Sequence, residues 1–393
     1  MTRAARSVVS VIVPTYDDRS RLLQRALASV YAQRGIGEQF ELEVIVADNA
    51  SSPATAEVVG RYPGVRHLRS EANLGLWVAL NMGLKAATGR FVAFLIDDDL
   101  WLEDKLSLQV PVLESKTEVG VVYSQQIVVF GNEVFVWPDA NAPSGSVFRA
   151  LLMGNFVGER SILVPREAFG TVGYFDEGLS AYGDYDMWLR LAFHFPFTFV
   201  SSPVAMYLRS VRGMYSTDIV DRRTERELPL VLEKAIALLP DTAGDHAELR
   251  RNALARAELI LADEQASMGE WGRAQVHLLR GVSEFPWIAG ERWARQSIVR
   301  HARRFALASA SPIEVTRTFC AAVSAAVARK GLKDRLTVRR LLADVWAEVA
   351  IGLRQDRRAA GYAAACAVRY YPARLRRKDL VWLMARGGLG RRR

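Results

Sequence analysis

The chain has 393 residues, 50% of them hydrophobic and 24% charged, which excludes a disordered or fibrous protein and leaves room for two or three globular domains. Two cysteines, Cys320 and Cys366, are too few for a disulfide framework or a four-thiolate zinc site and point to a reducing compartment. The charge is uneven: residues 1–217 hold 19 Lys+Arg against 23 Asp+Glu (−4) and residues 218–393 hold 33 against 20 (+13), which predicts a boundary near Ser216 and a basic C-terminal module.

No apolar segment precedes the first strand-like run and no uninterrupted apolar stretch reaches transmembrane length, so the chain reads as cytoplasmic. SVVSVIVPTY is a β-branched run that predicts a buried strand ending at Pro14 to Tyr16. After DDRS, the spacing of Leu22, Leu23, Ala26, Leu27, Val30 and Tyr31 predicts a helix with Ser20 as its N-cap. ELEVIVADNASSP repeats the plan, with a polar loop from Asp48 to Pro53 and the helical ATAEVVGRY behind it. Alternation of this kind implies a doubly wound, mostly parallel α/β sheet, in which ligands bind beyond the carboxyl ends of the strands. Thr15–Asp17, Asp48–Ser51 and Asp97–Asp99 all fall at such ends.

Beyond residue 217 the pattern turns to Ala-, Leu- and Arg-rich helical periodicity, which predicts an all-α domain over 218–393. ADEQASMGEWGRAQVHLLRGVSEFP resembles a tetratricopeptide-type hairpin, with Ala266, Gly269 and Ala274 as its small residues and Pro286 at its end. A weaker echo places Ala360 twelve residues before Pro372, as Ala274 stands before Pro286; two copies fall short of a solenoid.

The densest chemistry is in FLIDDDLWLEDKL. Three adjacent carboxylates at the end of a buried strand repel one another, and a hard divalent cation that shares its shell with substrate phosphate relieves that repulsion. A solvated acidic turn is the alternative reading. The five histidines show no metal-ligand spacing, and no GxGxxG or GxxxxGK[ST] phosphate loop occurs.

In order, VSVIVPTYDD, VIVADNASS, NLGLWVALNMGL, FLIDDDLWLEDKL, SILVPREAFGTVGYFDEGL and GDYDMWLRLAF resemble the nucleotide-sugar-dependent glycosyltransferases of family 2, over about residues 7–217. The resemblance implies a GT-A fold and assigns roles. Pro14, Thr15 and Tyr16 would cradle the base, and Asp48 would accept the imino proton of uracil or thymine, although an Asx-type turn would also suit Asp48. Asn73, Gly75 and Asn81 would help to enclose the diphosphate and sugar. Asp98 would bind Mn²⁺ or Mg²⁺ with Asp99 in support, Asp97 would contact the ribose, and Asp184 would be the catalytic base of an inverting transfer. Trp101 and Arg212 are candidates for acceptor or phosphate contact.

Several positions depart from the family pattern. Leu80 stands where many members have Arg, Ile96 where many have the first Asp of a DxD element, and Gly183 where Glu is usual. Ser210, Val211 and Arg212 occupy a segment where many carry His. The i,i+4 pair Asp186 and Arg190 is read as a helix-surface ion pair.

The resulting expectation is a divalent-metal-dependent enzyme moving a sugar from a UDP or dTDP donor to a saccharide or lipid-linked acceptor in polysaccharide or cell-envelope glycan synthesis. The basic tail would hold it at an anionic membrane surface, its inner face, or form a homo-oligomer; nucleic acid is not an expected partner. The rival is a catalytically silent GT-A domain serving as an assembly module.

Overall fold

Strand β1 (Ser7–Tyr16) is buried along almost its whole length, as a continuous apolar run must be when strands flank both edges and helices cover the faces. The computed structural model in which it lies describes residues 6–384 except 131–132, 210–220, 241–244, 285–295, 297, 301, 304–305, 308, 330–334, 354, 372–376, 378–379 and 381. After β1 come α1 (Ser20–Tyr31), β2 (Phe40–Asn49), α2 (Pro53–Gly60), β3 (Arg66–Ser70), α3 (Leu76–Ala86) and β4 (Phe91–Phe94). They build the first sheet, ordered β3-β2-β1-β4-β8, in which β1 to β4 are parallel and β8 (Val164–Pro165) is an antiparallel edge. Helix α3 lies directly on β1: a Cβ on Gly83 would stand 2.4 Å from Ile12 Cγ2, so only glycine permits this approach.

The register sets the site. Thr15 pairs with Asp48 and Asp48 with Arg69, which aligns the carboxyl ends of β1, β2 and β3. The amide of Leu95 donates to the Ile12 carbonyl at 3.1 Å, carrying β4's pairing up to the acidic triplet.

The remaining segments to residue 209 are β5 (Leu100–Trp101), α4 (Lys105–Ser115), β6 (Val121–Phe130), β7 (Glu133–Trp137), α5 (Phe148–Leu152), a 3₁₀ turn (Glu159–Ser161), α6 (Ala168–Val172), α7 (Gly183–His194) and β9 (Phe197–Arg209). The second sheet runs β5-β9-β6-β7, with β6 and β9 parallel. Helix α1 starts at Ser20 itself, with Arg19 in the cap position and no side-chain cap bond, so Ser20 is not the N-cap its sequence suggested. Leu23, Ala26, Leu27 and Val30 form its buried face.

The chain divides into two compact units, Met1–His246 and Ala247–Arg393. That division falls beyond the boundary near Ser216 predicted from charge, because α8 (Arg223–Ile236) is bound to the first unit. The Glu227 carboxylate accepts from the amides of Ser180 and Ala181 at 3.0 and 2.7 Å. Lys234 Nζ lies 2.6 Å from Asp176 Oδ2 and 2.7 Å from Asp186 Oδ1. Drawn after His246, the division sharpens the charge asymmetry: residues 247–393 hold 29 Lys+Arg against 13 Asp+Glu (+16).

The second unit holds α9 (His246–Ser267), which begins at its boundary, α10 (Trp271–Glu284), α11 (Pro312–Arg329), α12 (Arg335–Gly352) and α13 (Arg357–Tyr370). Leu259, Leu278, Val282, Phe319, Val345, Trp346 and Ala363 contribute to one apolar core. Pro286 and Pro372, which end the two tetratricopeptide-like segments, lie outside the described residues. Among the described residues no helix is long and apolar enough to cross a membrane.

Candidate active site

The strand ends at β1, β2 and β4 bring Pro14, Thr15, Tyr16, Asp48 and Asp97 to one rim. Thr15 Oγ1 donates to Asp97 Oδ2 at 2.7 Å. Asp48 is fully buried, and its carboxylate accepts from the Ser51 amide at 2.7 Å, from Arg69 Nη1 at 2.8 Å, and pairs with His67 Nε2 at 2.9 Å. Burial alone would raise this carboxyl, but the donors from Ser51 and His67 and the charge of Arg69 hold it below the usual range. The Asp48 side chain thus makes a local bond to the amide three residues on, and His67 and Arg69 are further partners that the sequence did not single out.

Asn73 and Gly75 sit on the loop that enters α3. Asn49 Nδ2 donates to Asn73 Oδ1 at 2.7 Å and to the Gly75 carbonyl at 3.1 Å, which ties that loop to the end of β2. Asn81 faces elsewhere. Its Nδ2 donates to the Phe175 carbonyl at 2.9 Å and Glu177 Oε1 at 2.8 Å, while its Oδ1 accepts the Phe175 amide at 2.9 Å. With both ends of the amide engaged and 2% exposure, Asn81 holds the loop before α7 and is not a phosphate or acceptor contact.

The three aspartates differ in environment. Asp99 is buried; Arg160 Nε donates to its Oδ2 at 2.5 Å and the Leu208 amide to its Oδ1 at 3.1 Å. Both oxygens are engaged, so Asp99 is a brace between β9 and the 3₁₀ turn, and its assignment as a metal ligand gives way to its supporting role. Asp97 is buried at 1% exposure, and its Oδ1 accepts no hydrogen bond; burial pushes its carboxyl up to about 7, against Arg19 and Thr15. Asp98 keeps 32% of its side chain exposed and pairs with Arg19 Nη2 at 2.5 Å.

Trp101 and Lys105 of the same motif bind the backbone at Arg160 and Ile162. Trp101 is buried and donates Nε1 to the Arg160 carbonyl at 3.0 Å, which removes it as an acceptor platform. Lys105 is fully buried, donates to Gln109 Oε1 at 2.5 Å and the Ile162 carbonyl at 2.7 Å, and burial holds its ammonium well below the usual lysine range. The Arg160 guanidinium also lies 4.0 Å from the centre of the Tyr207 ring.

Asp184 opens α7, and the Tyr185 amide donates to its Oδ1 at 2.7 Å. Burial pushes this carboxyl up to about 6, against the Tyr185 amide, the Arg160 charge and Asn155. Glu159, buried on the 3₁₀ turn, is pushed by burial up to about 8; it feels the charges of Asp184, Asp99 and Asp98, and its Oε1 accepts no hydrogen bond. Arg160 thus binds Asp99 directly and acts on Asp184 through its charge. The signal for Glu159 and Arg160 is a charged pair inside the otherwise apolar FVGERSILV. Asp186, read as a surface ion pair with Arg190, does pair with it at 2.8 Å but is nearly buried and also binds Lys234. Arg212 lies outside the described residues.

Among the described residues no three His, Cys, Asp or Glu side chains form a ready-made cation cage. The donor set fits a cation that needs few protein ligands: Asp98 is partly exposed, Asp97 Oδ1 accepts no hydrogen bond, the one positive group facing both among the described residues is Arg19, and hard divalent ions complete such shells with phosphate and water.

Residues 10–175 match the model of Glycosyl transferase family 2. An uncharacterized Mycobacterium tuberculosis protein is 26% identical over 347 residues, covering 83% of this chain and 93% of its own. An uncharacterized glycosyltransferase of Rickettsia felis is 28% identical over 192 residues, 47% of this chain and 31% of its own. Two solved structures share the fold at a TM-score of 0.50 each. One is S. aureus TarS 1–349 in complex with UDP-GlcNAc, 18% identical, covering 88% of this chain and 92% of that one. The other is the Pyrobaculum calidifontis mannosyltransferase PcManGT in complex with GDP-Man and Mn²⁺, 22% identical, covering 84% and 89%. Residues 10–175 therefore carry a domain that matches glycosyltransferase family 2, and the sheet beneath them has the GT-A fold of the two solved structures.

Proposed function

We propose that the first unit transfers a sugar, with inversion and with the help of Mn²⁺ or Mg²⁺, from a nucleoside diphosphate donor to a hydroxyl of a saccharide or lipid-linked acceptor. The observation that carries this reading is the placement of Asp48 and of Asp97 to Asp99 at the carboxyl ends of β2 and β4, with Arg160, the partner of Asp99, acting by its charge on Asp184. The donors bound by the two solved neighbours, UDP-GlcNAc and GDP-Man, belong to the same chemical class.

Asp48 and the ends of β1 and β2 would hold the base, with UDP and dTDP favoured because a carboxylate accepts their imino N–H. Asp48 is buried and engaged by Ser51, His67 and Arg69, so His67 or Arg69 would have to yield to the base, and Tyr16 would offer its ring face. Asp97 would contact the ribose through Oδ1, which accepts no hydrogen bond and lies 3.2 Å from Arg19 Nη2. A divalent cation on Asp98 would offset the negative charge that develops on the departing diphosphate. Asp184 takes the proton of the acceptor hydroxyl, whose oxygen forms a bond to the anomeric carbon. The anomeric C–O bond on the opposite side breaks, and its electron pair leaves on the nucleoside diphosphate.

The rival reading as a silent module drew on Ile96, on Gly183, where family members usually carry Glu, and on the missing His near Val211. At Gly183 the space a side chain would take is filled by the Trp77 ring, so the glycine has a packing reason. The basic second unit would attach the enzyme to an anionic membrane surface, which suits a lipid-linked acceptor in cell-envelope glycan synthesis.

A panel of UDP-, dTDP- and GDP-sugars, scored for hydrolysis and for protection against thermal unfolding with and without Mn²⁺, tests the proposal. At least one donor should be hydrolysed and should stabilise the protein only with the metal. Absence of both effects across the panel would favour the silent module.

A further inference from the structure

The group facing the available oxygens of the acidic triplet is Arg19. Its Nη2 lies 2.5 Å from Asp98 Oδ2 and 3.2 Å from Asp97 Oδ1, and its guanidinium carbon stands 4.9 Å from the centre of the Tyr16 ring. A guanidinium there occupies the place that a divalent cation on Asp98 must take, and two cations within about 4 Å of each other repel strongly. They therefore compete for Asp98.

The main chain of Arg19 is fixed. Its carbonyl accepts the amides of Leu22 and Leu23 at 2.9 Å each as the first turn of α1. The side chain is 19% exposed, and an open surface depression formed by Asp18 to Leu22 lies beside it. A displaced guanidinium thus stays tethered near the cation it has yielded to, and the anion brought there by that cation is the donor diphosphate. The planar fork of arginine suits paired phosphate oxygens.

We propose that Arg19 is a placeholder cation: it neutralises Asp97 and Asp98 when no donor is bound, yields Asp98 to the divalent metal, and then binds the donor's diphosphate. This inference rests on the metal-dependent reading above. Metal alone must displace Arg19 without offering it a new anion, whereas metal with a nucleoside diphosphate supplies one. The two ligands therefore bind with positive coupling, and Arg19 carries part of that coupling.

The test compares wild type with Arg19→Gln and Arg19→Lys, using Mn²⁺ alone by electron paramagnetic resonance and then UDP, dTDP and GDP by calorimetry at saturating Mn²⁺. Arg19→Gln should bind Mn²⁺ alone about tenfold more tightly and its best nucleotide about tenfold more weakly, while Arg19→Lys stays nearer to wild type. Circular dichroism checks that each variant folds. Mn²⁺ affinity that is unchanged or weaker in Arg19→Gln overturns the inference, as does unchanged nucleotide affinity. Asp98→Asn separates the two readings. If it abolishes Mn²⁺ binding while Arg19→Gln changes nothing, only the role of Arg19 fails; if it leaves Mn²⁺ binding intact, the metal site and the inference fail together.

Discussion

Gly183 and Trp77 occupy complementary space: a Cβ added to Gly183 would stand 2.5 Å from Trp77 Cε2, well inside van der Waals contact. Trp77 is buried, stacks on Phe175 with ring centres 5.4 Å apart, and donates Nε1 to the Ser180 carbonyl at 3.2 Å. The indole therefore fixes the loop that delivers Asp184 and takes the volume a glutamate would use.

Gly183→Glu alone should cost about 1–3 kcal/mol by overpacking. Trp77→Ala alone should cost about 3–5 kcal/mol through its cavity. The double variant should lose clearly less than the sum, since the two residues share one volume. Urea melts of the four proteins measure that coupling. Additive losses would show that Gly183 is glycine for some other reason.

Asp184→Asn should keep donor binding and lose transfer by about 10²–10⁴-fold, because the amide fills the same space but accepts no proton. In the wild type the base form declines below about pH 6, the value to which burial raises this carboxyl, and activity should decline with it. The stability effect has the opposite sense. A carboxyl whose folded value is raised favours the fold when protonated, so its ionisation costs stability as pH rises from the ordinary carboxylate range through about 6. Asp184→Asn should therefore be more stable than wild type at pH 8, by on the order of 1 kcal/mol, and gain nothing at pH 4. A variant that keeps near wild-type transfer moves the base elsewhere.

Asp48 separates turn from base recognition. Asp48→Ala leaves the buried Ser51 amide, His67 and Arg69 without their acceptor and should destabilise by about 3 kcal/mol. Asp48→Asn preserves the Ser51 bond and should cost less, yet still weaken uracil and thymine nucleotides. Because the carboxyl is held low, its contribution is present at neutral pH and disappears as pH falls through its folded value. Unchanged nucleotide affinity in Asp48→Asn would leave only the turn.

Much of the first sheet was legible because β1, β2 and β4 are apolar runs that end abruptly in polar residues. What escaped were partners distant in sequence. Arg19 meets Asp98 across 79 residues, and Arg160 meets Asp99 across 61. Family motifs also count positions without saying what fills the space around them. Asn81 matched a diphosphate segment but binds a loop 94 residues away, and Gly183 looked like a loss until Trp77 was beside it. The charge boundary fell short of His246 because α8 has acidic and basic residues that grip the first unit through Glu227 and Lys234.

The basic second unit should sediment the protein with anionic liposomes at low salt and release it at high salt, since the Debye length falls from about 10 Å at 0.1 M to about 3 Å at 1 M. Neutral liposomes should bind little. A salt-insensitive dimer by light scattering, with no liposome binding, would replace membrane attachment with self-association.

The most direct test of metal-assisted donor binding is calorimetry of the donor that responds in the nucleotide-sugar panel, titrated into wild type and Asp98→Asn with and without Mn²⁺. Asp98 is partly exposed, so the variant should remain folded, and Asp97 and Asp99 keep their bonds to Thr15 and Arg160. Wild type should bind the donor at least tenfold more tightly with Mn²⁺, and Asp98→Asn should show the same weak affinity in both conditions. Equal metal enhancement in the two proteins would contradict the proposal and place any metal away from the acidic triplet.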